Sequence, residues 1–138
     1  MHTLDVFLAH ADGPWRRGVS DCFVAAADQV HAWFGVDPMA RYRGRYTSMH
    51  GYLRIVRKDG YGDALAAFRG ELEASGFERV EDGPLDRDVA LASYREAGKP
   101  TVAPALFFDG FWNVRSNTGW SGFEGMTGIS EVYRWASK

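Results

Sequence analysis

The passage from Trp15 to Gly35 constrains the fold more than any other part of the chain. A polar loop, Trp15-Arg16-Arg17-Gly18-Val19-Ser20-Asp21, gives way at once to Cys22-Phe23-Val24-Ala25-Ala26-Ala27-Asp28-Gln29-Val30 and on to Phe34. Ser20 or Asp21 is suited to accept from the open N–H groups of a first helical turn, and Gly35 is suited to end the helix. At helical spacing Cys22, Ala26, Gln29 or Val30, and Trp33 share one face, and Phe23, Ala27, Val30 and Phe34 share the next. An apolar arc this wide needs cover on more than one side, so the spacing predicts a central helix. The same helix carries the chain's one cysteine. A thiol in a first turn lies at the positive end of the helix dipole, which favours the nucleophilic thiolate. A lone cysteine is more often a small apolar filler, so position alone does not make Cys22 a nucleophile.

The rest of the first half reads as helical. Thr3 is placed to cap a short helix over Leu4–Ala11, stopped by Asp12-Gly13-Pro14. Asp37-Pro38 opens a short helical turn. Arg41 to Tyr46 reads as an irregular linker whose three arginines form a solvated face. Thr47 or Ser48 caps a helix to about Arg57, with Met49, Tyr52, Leu53 and Val56 inward. Gly62 or Asp63 opens another, with Leu65, Ala66, Phe68, Leu72 and Ala74 inward and Ser75-Gly76 at its end. The second half reads as strands over Phe77–Val80, Asp88–Tyr94, Thr101–Phe108, Phe111–Ser116 and Ile129–Ala136. Asp109-Gly110 is a two-residue hairpin turn, and the glycine-rich stretch Asn117–Gly128 reads as a loop. Helices followed by antiparallel strands predict one α+β domain over residues 1–138, with the helices packed on a C-terminal β-meander.

Composition narrows the function classes. A net charge of −2 points to no nucleic-acid partner and no polybasic membrane anchor. One cysteine excludes an internal disulfide and a cysteine-built zinc site. No metal-spaced ligand cluster, phosphate loop or dinucleotide fingerprint is present, so no cofactor or metal is expected. Asp28, Asp59, Asp63 and Asp82 read as caps and solvated acids. No stretch nears the roughly 20 apolar residues of a membrane span. The first residues lack a basic region, and the apolar run Val6–Ala9 is too short for a secretory signal, so synthesis and folding in the cytosol are expected. Aromatic residues make up 14% of the chain, and Trp112, Trp120 and Phe123 in the glycine-rich second half suit a binding surface.

The opening Trp15-Arg16-Arg17-Gly18-Val19-Ser20-Asp21-Cys22, then Asp37-Pro38, then Arg43-Gly44-Arg45-Tyr46, resembles the NlpC-like branch of the papain-like cysteine peptidases. The likeness is closer to the short NlpC-like proteins of phage, prophage and gene-transfer-agent tail clusters. Arg87-Asp88-Val89-Ala90-Leu91 is similar to that family's Gly-Asp-hydrophobic strand, with Arg87 in place of the glycine. Gly128 to Trp135 loosely echoes its tail. The resemblance implies a papain-like fold and a Cys–His–polar triad in that order. Cys22 matches the nucleophile, and Trp15 and Asp21 flank it in the opening motif. The histidine position falls near Val102 to Leu106, where there is none, and Asn113 falls at the third position. His2, His10, His31 and His50 all lie in the helical half; His31 is nine residues beyond Cys22, over about 10 Å along the helix axis and out of bonding reach.

Without a base the thiol forgoes an activation worth typically 100- to 10,000-fold. The resemblance therefore implies a structural or adaptor domain of a phage-type tail tip or hub, partnered by other tail proteins and carried in the virion. The alternative it implies is an active cysteine hydrolase, a peptidoglycan endopeptidase with Cys22 as nucleophile that assists DNA entry. A third reading, a small-ligand binder in the same cleft, has no motif behind it.

Overall fold

A computed structural model describes residues 21–96, 98–116, 119–123 and 128–136. The expected helix over Leu4–Ala11 and the Trp15 loop lie outside the described residues. The helices that follow are α1 (Cys22–Phe34), α2 (Met49–Lys58) and α3 (Ala64–Ala74). Each begins where a short polar side chain accepts the N–H three residues on. Asp21 accepts from Val24 at 2.9 Å, Ser48 from Gly51 at 3.0 Å, and Asp63 from Ala66 at 2.8 Å. Gly35 ends α1 at φ 78°, in the left-handed region, and returns its N–H to the His31 carbonyl.

Six strands follow: β1 (Phe77–Val80), β2 (Val89–Glu96), β3 (Lys99–Phe108), β4 (Phe111–Ser116), β5 (Gly119–Phe123) and β6 (Ile129–Trp135). They form one antiparallel sheet in the order β1-β6-β2-β3-β4-β5. The expected meander holds from β2 to β5, but β6 returns to lie between β1 and β2. The expected loop at Asn117–Gly128 is corrected in part, because Gly119–Phe123 pairs with β4. The β3–β4 hairpin turns on Asp109 and Gly110, at φ 56° and 82°, the conformation a two-residue Asp-Gly turn supplies.

The helices cover one face of the sheet. Val89, Leu91, Leu106, Phe108 and Tyr133 join Phe23, Ala27, Val30, Phe68 and Leu72 in the main core. The other face gathers Ala90, Ala92, Ala105, Trp112, Val114 and Val132 in a second buried cluster. Trp112 is fully buried there, edge-on to Phe107 at 5.2 Å. That corrects its expected place on an exposed binding surface: at this position the indole is worth more as core than as contact. The side chains of Trp120 and Phe123 lie outside the described residues.

The linker at residues 37–46 is a run of turns that buries Pro38, Met39, Tyr42 and Tyr46. Its arginines are not a uniform solvated face. Arg43 donates to both oxygens of Asp37, at 2.7 and 3.1 Å, and pairs with Asp28 of α1. Arg41 pairs with Asp59 and Glu71, each at 3.2 Å. Tyr42 and Tyr61 donate to the same two carboxylates at 2.8 Å. Asp28 on α1, Asp59 at the end of α2 and Glu71 on α3 thereby fasten the turn to all three helices, and Asp37 braces it from within.

Arg69 of α3 grips Glu131 of β6 through both oxygens, at 2.8 and 3.0 Å, and Tyr133 donates to Glu131 at 2.6 Å. The Arg69 hydrogen bonds, foremost, hold the Glu131 carboxyl below its ordinary value of 4.5. A carboxyl depressed by folding adds stability above its unfolded pKa and loses it as pH falls through the folded one. Urea unfolding of Glu131→Gln beside the parent is therefore expected to show a deficit at neutral pH that shrinks steadily once the pH drops below about 4.5. A deficit independent of pH would show that the carboxylate is not the stabilising form.

Candidate functional site: the start of the first helix

The first turn of α1 collects buried polar groups. Asp21 is wholly buried, Cys22 is 8% exposed and Arg115 is 2% exposed. Asp21 does two jobs with its two oxygens. Oδ1 caps the helix, and Oδ2 accepts the Tyr46 hydroxyl at 2.6 Å. Tyr46 stacks on Tyr52 at 4.4 Å, and Tyr52 in turn packs on Phe23 of α1 at 5.4 Å. The Tyr52 hydroxyl faces the Met39 sulfur at 3.5 Å. Burial first, and the Asp21 carboxylate second, push both phenols far above the ordinary tyrosine range, so they stay neutral donors.

The sheet supplies the opposite wall. In β4 the side chains of Asn113 and Arg115 share the helix-facing side with Leu106 and Phe108, while Trp112 and Val114 point to the other cluster. Burial lowers the Arg115 guanidinium from its ordinary value, and the nearby Cys22 sulfur pulls it back up. Asn113 is spent on the hairpin. Its amide nitrogen donates toward the carbonyls of Phe111 at 2.9 Å and of Leu106 and Phe108 at 3.3 Å.

The structure thus brings Asp21 and Cys22 together with Tyr46, Tyr52 and Arg115. Sequence reasoning singled out the first two and missed the other three. His31 and His50 are exposed; His2, His10 and Trp15 lie outside the described residues. Among the described residues no group of three His, Cys, Asp or Glu side chains is set to hold a metal ion, and no helix is long and apolar enough to cross a membrane.

One family model, for a domain of unknown function, DUF6950, matches residues 2–96. The chain belongs to that family. The DUF6950 match takes in Cys22, the three helices and the first two strands, and stops before the strands that carry Asn113 and Arg115. No curated protein and no solved structure matches the chain.

Because one carboxylate serves cap and tyrosine together, its loss is expected to cost more than either bond. Asp21→Ala removes a cap worth about 1 kcal/mol and strands a buried hydroxyl at about 1–3 kcal/mol. Tyr46→Phe keeps the cap and is expected to cost about 1.5–3 kcal/mol, because the bond lost is to a buried charged acceptor. Urea denaturation of both variants and the double mutant tests this; strictly additive losses would mean that the two bonds are independent.

Proposed function

We propose that this DUF6950 protein is an NlpC-like, papain-type domain that has left hydrolysis behind and serves as a structural or adaptor component of a phage-type tail tip or hub. The observation that carries the reading is the wall opposite Cys22. Where a cysteine peptidase needs an imidazole to take the thiol proton, the helix-facing side of β3 and β4 presents Leu106, Phe108, Asn113 and Arg115. Arg115 is a permanent cation and has no proton-accepting site at neutral pH. The thiol is also buried, at 8% exposure.

A second feature supports the kinship. Arg87 stands where the resemblance calls for glycine, and it adopts φ 72°, in the region glycine favours. Its N–H donates to the Phe107 carbonyl at 2.7 Å, and its guanidinium lies over the Trp33 ring at 5.8 Å. The backbone keeps the glycine-type turn while the side chain has found a new use on α1. The α+β layout, with a helix start facing a strand run, supports the same reading. The tail partners and the virion location come from the resemblance alone.

One observation favours the hydrolase reading: a buried guanidinium beside a first-turn cysteine promotes thiolate. Two measurements separate the readings. Iodoacetamide at neutral pH is expected to label folded Cys22 at least about 100-fold more slowly than the urea-unfolded chain, in line with a buried thiol. Purified protein is expected to release no peptides from murein, and Cys22→Ala is expected to leave particle assembly and infectivity intact. Rapid labelling of the folded chain together with Cys22-dependent release of peptides would replace the adaptor reading with the hydrolase one.

A further inference from the structure

Charge is sorted by segment along this chain. Residues 45–58 hold Arg45, Arg54, Arg57 and Lys58 and no acid, whereas residues 73–86 hold Glu73, Glu78, Glu81, Asp82 and Asp86 against Arg79 alone. The cations lie on α2 and the turn before it. The acids lie on the end of α3, on β1 and on the loop into β2. Every one of these residues is exposed. On α2, at 3.6 residues per turn, His50, Arg54, Arg57 and Lys58 fall within an arc of roughly 100°, turned away from the buried Tyr52 and Val56.

Among the described residues the four cations have no carboxylate partner, and the acidic set is only partly paired. Arg45 donates to the Arg41 carbonyl at 2.7 Å and Arg57 to the Gly62 carbonyl at 3.5 Å. On the acidic side Arg79 stands 3.8 Å from Glu81 and Arg134 3.3 Å from Asp82, yet Glu81 remains 90% and Asp82 77% exposed. Arg57 and Lys58 have a local use, since cations in a last turn complement the helix dipole. Arg54 has none, and four residues from Lys58 it is repelled along the helix. The neighbouring turn shows the contrast, because Arg41 and Arg43 each take two carboxylates from this same chain.

We infer that the basic face of α2 docks onto the acidic β1 edge of a second copy of this chain. The two patches sit on different elements, with α3 packed against both α2 and β1. One patch meeting another on the next copy is a head-to-tail contact, which closes into a ring or runs on as a filament. A second copy fits better than nucleic acid, because the chain's net charge is −2 and the acidic edge repels a polyanion. Exposed charge pairs are individually weak and are screened beyond about 8–10 Å at ordinary salt, so the contact depends on concentration and ionic strength. It does not rest on the reading of the Cys22 site.

Sedimentation velocity of the full chain at submillimolar concentration tests this. Self-association is expected at about 50 mM salt and is expected to weaken at least about tenfold by about 500 mM. Arg54→Glu with Lys58→Glu, and separately Glu78→Lys with Glu81→Lys, are each expected to leave a monomer with the parent's circular dichroism spectrum. The two variants mixed are expected to associate with each other, and one chain carrying all four changes to self-associate again. A monomeric parent at low salt, an oligomer indifferent to either pair, or no recovery on mixing would overturn the inference. So would a monomer that binds duplex DNA through Arg54 and Lys58.

Discussion

Enclosing α1 is the constraint from which the rest of the architecture follows. Eight of its residues, Cys22 to Ala27 with Gln29 and Val30, are buried. No single neighbour can cover so wide an arc. The sheet takes one side, through β3 and β4. Tyr52 of α2 and Phe68 of α3 take another by meeting Phe23 at 5.4 and 5.9 Å. The turn at 37–46 closes on α1 as well, through Tyr46 to Asp21 and Arg43 to Asp28. Its own backbone bonds, from Ala40 to Asp37, from Tyr42 and Arg43 to Met39 and from Arg45 to Tyr42, are joined by buried tyrosines and paired arginines that tie it to the helices.

Much of this layout is legible in the residues because local chemistry and tertiary need agree. Asp21, Ser48 and Asp63 are good caps in any context and act as caps here. Asp109-Gly110 suits one tight hairpin and makes it. The misses come where packing overrides local preference. Gly119–Phe123 has little strand propensity, yet β4 offers it an open edge and the ladder forms. Tyr42 and Tyr46 look like linker residues because a buried hydroxyl declares itself only through its partner, and Asp59 and Asp21 are distant in sequence.

The candidate site was half legible for a related reason. A helix start bearing Asp21-Cys22 is a local signal, read directly. Arg115 is not, since Phe111-Trp112-Asn113-Val114-Arg115 alternates as a strand with one wet side, Asn113 and Arg115 outward. The sheet is buried on both faces, so that alternation sorts residues between two interiors instead of between core and water. Asn113 bonds hairpin carbonyls, and Arg115 lies close enough to the Cys22 sulfur to interact with it electrostatically.

The position of β6 bears on how the chain is assembled during its synthesis. β1 leaves the ribosome early, but the neighbour it pairs with, β6, is translated only after four other strands. Until then β2 also lacks one of its two flanking partners. The nascent helices and the β2–β5 meander can form from local contacts, whereas closure of the sheet awaits the last strand. Native pairing of β1 is therefore a late event, and a ribosome stalled within the β5–β6 connection would hold the domain with its first strand undocked.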